Sequence, residues 1–374
     1  MYGKIPSPYT IYSEEIEKIL ATKEYSDNIK NMIRLSLPII IKKYGEENMA
    51  IIFSTLKNVQ IVETQKGQSM LSLLKGHENS QVIEDSPLIV NDSAKAMSSG
   101  AYESNPFFSI SEKKDINLKK VERYINLRGG KIDLDKFATF IHEFGHAIKS
   151  TRNEYSISHK GGQAELLYRN GLINTRQSMS VQDNGKIQLK RVSHIGTGLE
   201  EGINTMFEED IVNTILGMKE RDIPENLQEV WDTVRGYVAQ GEKFKSSAYS
   251  PESAVARSLF NIPGFAERIL SDELYGTSKT ASFYDSMIPD ENLSENNWHL
   301  LLQNLDDATK YNYLALQSMQ RFNTDKLKEN MKKRVDSFSK AATQIIGMSE
   351  FYKQKRDSQI QEQEWEQKGT FNTN

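Results

Sequence analysis

The chain of 374 residues contains no cysteine. A disulfide framework and a thiolate zinc site are both excluded, so any metal ion must be held by histidine, aspartate or glutamate. Positive charge is not in excess either: 47 Lys and Arg stand against 51 Asp and Glu, a formal net charge of -4. A surface for nucleic-acid phosphates normally shows as a basic excess or stripe, so no nucleic-acid partner is expected. Long apolar runs are missing too. The longest, Leu37 to Ile41, contains Pro38 and is far too short to cross a bilayer, and Met1 to Leu20 carries Glu14, Glu15 and Glu17 with no apolar stretch of the export type. The expectation is a soluble chain, cytoplasmic by default and without membrane insertion, with a specialised secretion route left open. Gly129-Gly130, Gly161-Gly162 and Gly196-Thr197-Gly198 lack the spacing of a P-loop or a dinucleotide turn. No phosphate-bearing cofactor is expected.

What is present is ordinary globular material, 37% apolar and 26% charged, and enough of it for two domains or one large two-lobed one. Only 6 residues are histidine, and two of them fall in His142-Glu143-Phe144-Gly145-His146. On a helix this H-E-x-x-H pattern puts two imidazoles at i and i+4 on one face with a carboxylate beside them, the arrangement that holds a zinc ion and its water. The flanks predict that helix. Asp133 or Asp135 can cap its start after Gly129-Gly130, and Phe137, Ile141, Phe144 and Ile148 recur at the spacing of a buried stripe. Thr139, His142, His146 and Lys149 fall on a neighbouring face, so packing and ligation do not compete.

Taken in order, Ser13 to Tyr25 and Asp27 to Lys43 read as helices, the second with Pro38 inside it, and Glu46 to Leu56 as a third. Val59 to Glu63 reads as a short strand, as do Val82-Ile83 and Leu88 to Val90. Phe107 to Ile110 is predicted as a strand, either at an edge, where it could hold an extended peptide by strand addition, or in the core, packing Phe107 or Phe108. Asn117 to Leu127 is predicted helical, and so is Gly162 to Asn170. Ser178 to Val181 and Lys186 to Leu189, joined through Asp183-Asn184-Gly185, read as a hairpin flap. Gly198 to Met218 is again helical, followed by helices over Asn226 to Ala239, Pro251 to Leu274, Asn296 to Phe322 and Asp325 to about Arg356. The Gln-, Glu- and Lys-rich remainder has little to bury and reads as a flexible tail. The resulting division is a helical segment over 1–57, a catalytic core over 58–222 with an insertion near 151–197, a helical region over 223–353, and a tail over 354–374.

A catalytic zinc site usually takes three protein ligands. His159 could supply the third from a loop, but the better source is the helix beginning Leu199-Glu200-Glu201-Gly202-Ile203-Asn204-Thr205. Metzincins are excluded, since Lys149 and Arg152 stand where that class has Gly and His. With its H-E-x-x-H helix and a downstream Glu-Gly-Ile-x-Thr, the sequence resembles the gluzincin metallopeptidases. That resemblance implies an α+β, zincin-like catalytic domain with a small sheet packed on the His142 helix, one Zn²⁺ per chain, and Glu201 as third ligand beside His142 and His146. The family often has an acidic residue one turn after the ligand; Thr205 stands there, and Glu208, a turn further on, could orient His142 instead. His142 to Ala147 is also similar to the catalytic helix of lethal-factor-type toxin proteases. By that resemblance His194, seven residues before Glu201, takes the place of a tyrosine that supports the transition state, with Tyr155, Tyr168 and Tyr249 as competitors.

The chemistry implied is peptide-bond hydrolysis by a metal-activated water, with Glu143 as general base and a protein or peptide as substrate. Whether the enzyme is a general peptidase or a secreted or translocated effector with one protein target stays open, as does oligomeric state. The contrasting reading is a metal-containing interaction protein using its C-terminal helices as the binding surface. A purely structural metal site has no use for Glu143.

Overall fold

Ile16, Ile19 and Leu20 are buried on α1 (Pro8–Leu20). α2 (Asp27–Tyr44) starts at Ser26, whose Oγ accepts the N–H of Ile29 at 3.3 Å, and it buries Ile29, Ile33, Leu37 and Ile40 with Pro38 inside the helix. A 3₁₀ turn over Glu46–Asn48 leads into α3 (Met49–Asn58). A computed structural model of the chain describes residues 8–64, 100–111, 115–149, 154–160, 163–183, 187–239, 241–246, 249–288 and 297–370. The strand candidates at Val82-Ile83 and Leu88 to Val90 and the Asn184-Gly185 turn lie outside them.

The fold mixes helices with two small sheets. The first sheet has the order β1-β3-β2, in which β1 (Val59–Thr64) runs parallel to β3 (Ile116–Arg128) and β2 (Gly100–Ile110) runs antiparallel to it. β2 is thus an edge among the described strands, and it starts seven residues earlier than Phe107. β3 corrects the helix expected over Asn117 to Leu127. Val121 and Ile125 fit a helical spacing, but Val121, Arg123, Ile125 and Leu127 also alternate, and ladders on both sides decide for the strand.

The second sheet has the order β4-β5-β6-β7, with β4 (Tyr155–Lys160), β5 (Gln163–Asn170) and β6 (Ile173–Val181) successively antiparallel and β7 (Ile187–Ile195) last. Here β5 corrects the helix expected over Gly162 to Asn170: Ala164, Leu166, Tyr168 and Asn170 are buried, with Leu167 exposed between them, a period of two. The region expected as a hairpin flap is therefore a four-stranded sheet. Its apolar face, with Tyr155, Leu166, Tyr168 and Met179, packs with Phe108, Ile110 and Val121 of the first sheet.

α4 (Leu134–Lys149) carries the H-E-x-x-H motif, with β2 and β3 of the first sheet against it and α2 and α3 nearby. It is followed, after the second sheet, by α5 (Thr197–Leu216) and α6 (Gln228–Arg235). The remaining helices are α7 (Ser250–Phe260), α8 (Phe265–Tyr275), α9 (Lys279–Asp285), α10 (Asn297–Gln320) and α11 (Thr324–Thr370). The single helix expected over Pro251 to Leu274 is two, because Pro263 lacks a donor and Gly264, at φ +76°, turns the chain. α11 continues to Thr370 through residues read from the sequence as tail. Gln, Glu and Lys are good helix formers, which favours that continuation.

By contacts the chain forms two compact units, Met1–His194 with Asn204–Ser250, and Ile195–Ile203 with Pro251–Asn374. The first holds both sheets and α1 to α4. In the second, α10 and α11 form an antiparallel hairpin in which Asn304 bonds Gln344 and Asn330 bonds Ser318, and Phe265, Phe283, Tyr284 and Trp298 cluster through ring contacts. α5 begins in the second unit and continues in the first. Among the described residues no helix is long and apolar enough to cross a membrane.

Candidate metal centre

α4 is fixed before any ligand is considered. Asp133 caps it, its Oδ1 accepting the N–H of Lys136 at 2.8 Å while Arg128 holds Oδ2 at 2.5 Å. Phe137, Phe140, Ile141, Phe144 and Ile148 are all at most 3% exposed, each contributing about 1.5–3 kcal/mol of apolar burial. Lys136 is buried as well, its ammonium paired with Glu63 of β1 and donating to the Gly130 carbonyl at 2.9 Å. The helix is thus tied to the sheet as well as packed on it.

β2 runs along this helix. A Cβ added to Gly100 would lie 2.6 Å from the Asn126 carbonyl oxygen and 2.8 Å from the Thr139 methyl, so only glycine admits this approach. Two residues on, the N–H of Tyr102 donates to Glu143 Oε2 at 2.6 Å. Two strand residues advance about 6.7 Å and four helix residues about 6 Å, which is why Gly100 meets Thr139 and Tyr102 meets Glu143.

His142 and His146 are 8% and 7% exposed, with ring centroids 5.1 Å apart and planes at 67°. Together with Glu201 of α5 each offers one ligand atom, and the three atoms lie within 4.8 Å of one another. Donors on one tetrahedral zinc sit roughly 3.3 Å apart, so a closing movement of at most about 1.5 Å completes the set. Two imidazoles and one carboxylate suit that ion. Among the described residues this is the one such group of three, and Glu200, His159 and His194 are outside it. Glu200 instead points inward and is fully buried.

The orientation of His142 is set from α5. Its Nδ1 lies 3.0 Å from Glu208 Oε2, and burial pushes the Glu208 carboxyl above the usual range while the His142 contact pulls it back. If the group holds a metal ion, Glu208→Ala is expected to weaken its affinity for that ion about 10–100-fold, the usual effect of removing such a partner, measured by competition with a chelator. The ring of Tyr249 lies alongside that of His142, its centroid 6.3 Å away with planes 16° from parallel, and its backbone sits at φ +49°, unusual for a residue with a side chain.

His194 stands on β7 with Nδ1 2.7 Å from Thr175 Oγ1 of β6, and burial, with the nearby Arg191 charge, lowers its pKa to about 4. Protonation is therefore disfavoured in the folded chain, and between about pH 6.5 and pH 4 the unfolded chain binds more protons. Stability from this group is lost as pH falls through that window. His194→Gln is expected to lose less of its urea midpoint between pH 7 and pH 4.5 than the parent chain does. Tyr155 and Tyr168 pack on each other in the sheet core, centroids 4.9 Å apart.

Two features of the site had no reading in the sequence. One is the Tyr102 backbone contact to Glu143, hidden because the edge strand was legible only from Phe107. The other is Asp306 of α10, whose Oδ2 accepts the N–H of Gly196 at 2.8 Å and whose Oδ1 accepts that of Gly198 at 2.7 Å. Burial raises this carboxyl to about 6 despite those donors, which pull it down. No protein-family model, curated protein or solved structure matches the chain.

Proposed function

We propose that the chain is a zinc-dependent metallopeptidase of gluzincin type, built on a zincin-like arrangement of sheet and paired helices. The observation that carries this is the convergence of His142, His146 and Glu201, with Glu143 next to His142 in the chain, outside that group and held by the Tyr102 N–H. A spare carboxylate held beside a metal group is what hydrolysis requires and what a structural metal site does not.

In this reading His142, His146 and Glu201 hold the ion, and Glu208 fixes the ring of His142. Zinc, when bound, lowers the pKa of water and polarises a substrate carbonyl. Glu143 takes the proton of the attacking water and returns it to the leaving nitrogen. The Tyr102 N–H holds Glu143 Oε2, so Oε1 is the oxygen that exchanges the proton. Support for the reacting carbonyl goes to Tyr249 in preference to His194, because its ring lies against a ligand histidine whereas His194 is bonded within the second sheet. An extended substrate adding to β2 would begin beyond Ser104, since the carbonyl of Ser104 already accepts the Tyr155 hydroxyl at 3.1 Å.

The test is elemental analysis of the purified protein together with cleavage of unfolded proteins with and without 1,10-phenanthroline. One zinc per chain and chelator-sensitive cleavage are expected. A chain that takes up no zinc even when it is added back would overturn the reading.

A further inference from the structure

The first turns of α5 are held by the C-terminal helices in three ways. A Cβ on Gly198 would lie 2.5 Å from both the carbonyl carbon and oxygen of Leu305 on α10. One on Gly202 would lie 2.4 Å from the carbonyl oxygen of Glu252 on α7. Both obstacles are backbone and cannot swing away. The two glycines are i and i+4, so together they form one face on which α5 seats directly against two other helices. The third hold is Asp306, whose carboxylate takes the N–H groups of Gly196 and Gly198, two of the donors a helix start leaves without an internal partner. α7 and α10 are themselves joined through buried Glu252, whose Oε1 accepts the Thr309 hydroxyl at 3.2 Å.

The cap fixes α5 along its axis, and the glycine face fixes its rotation. Glu201 is the residue before Gly202, so its direction from the axis follows once that face is seated, at about 100° per residue. We infer that the C-terminal helices are the positioning scaffold of the third metal ligand, with Asp306 and Gly202 as positioning residues that set the affinity of the site for zinc. This rests on the metal reading above. It gives the region from Pro251 onward a task within the enzyme, in place of a separate binding surface.

The test uses the full chain and two readouts besides activity: zinc affinity by chelator competition, and the visible absorption of the Co²⁺-loaded protein. Gly202→Ala and Asp306→Asn are compared with the parent chain, with Glu201→Ala, and with Asp272→Asn. Asp272 lies in the same unit and caps α9 through the N–H groups of Lys279 and Thr280, so its variant perturbs the unit through a different helix start. Expected is a loss of zinc affinity of about 10-fold or more in Gly202→Ala and Asp306→Asn, as for groups that orient a ligand, with the Co²⁺ spectrum moved toward that of Glu201→Ala. Asp272→Asn should keep both at parent values even where its Tm falls. Should Gly202→Ala fail to fold by circular dichroism, the milder Asp306→Asn carries the comparison. If the parent binds zinc and Glu201→Ala weakens it, yet Asp306→Asn and any folded Gly202→Ala match the parent, the scaffold role is overturned while the metal reading stands. Equal losses in Asp272→Asn and Asp306→Asn would also overturn it, by reducing the effect to general stability. A parent chain that binds no zinc removes both.

Discussion

Glu143→Gln is expected to retain one zinc per chain and to hydrolyse peptide bonds about 10²–10⁴-fold more slowly, the range over which a positioned general base usually acts. The substitution separates basicity from placement. Glutamine keeps a side-chain oxygen that can accept the Tyr102 N–H now donated to Oε2 at 2.6 Å, so the side chain stays on the edge of β2. What it loses is the capacity to take a proton. Because Glu143 lies outside the ligand group, metal content should not follow activity downward. The two measurements are zinc stoichiometry and the initial rate on an unfolded protein substrate; a rate close to that of the parent would remove Glu143 as the base.

His146→Ala and Glu201→Ala are each expected to empty the site, with a loss of zinc affinity larger than the about 10–100-fold assigned to Glu208→Ala. Each removes one side chain of the candidate metal group. His142→Ala should also lose zinc but is the less clean experiment. It leaves the Glu208 carboxyl buried without the imidazole now 3.0 Å away, and a buried polar group that loses a partner typically costs about 1–3 kcal/mol. Stability and metal binding would then fall together. Glu200→Ala serves as the contrast, since Glu200 is buried and outside the ligand group, and it should keep its metal. Zinc retained in Glu201→Ala and lost in Glu200→Ala would exchange the two assignments.

The group of three possible metal ligands was more legible than the fold around it. Two histidines at i and i+4 are read directly from the chain, because a helix converts that spacing into one face whatever surrounds it. Glu201 needed a resemblance, since no local rule links it to a motif 55 residues earlier. β3 and β5 were read as helices for a definite reason: Val121 and Ile125, or Leu166 and Asn170, satisfy a four-residue spacing and a two-residue alternation alike, and only partner strands decide between them. Asp306 could not have been found at all. Its partners, Gly196 and Gly198, are more than a hundred residues away, and an aspartate inside a helical stretch reads as an ordinary polar position.

Tyr249 combines two demands that pull against each other. Its backbone, at φ +49°, is one that glycine or asparagine adopts at lower cost, while its ring is the part that lies along His142. A campaign to raise heat resistance, guided by stability alone, would choose this position early and install a smaller residue there. The same change would strip His142 of the ring now beside it, so in the proposed enzyme robustness and turnover would trade against each other at this residue.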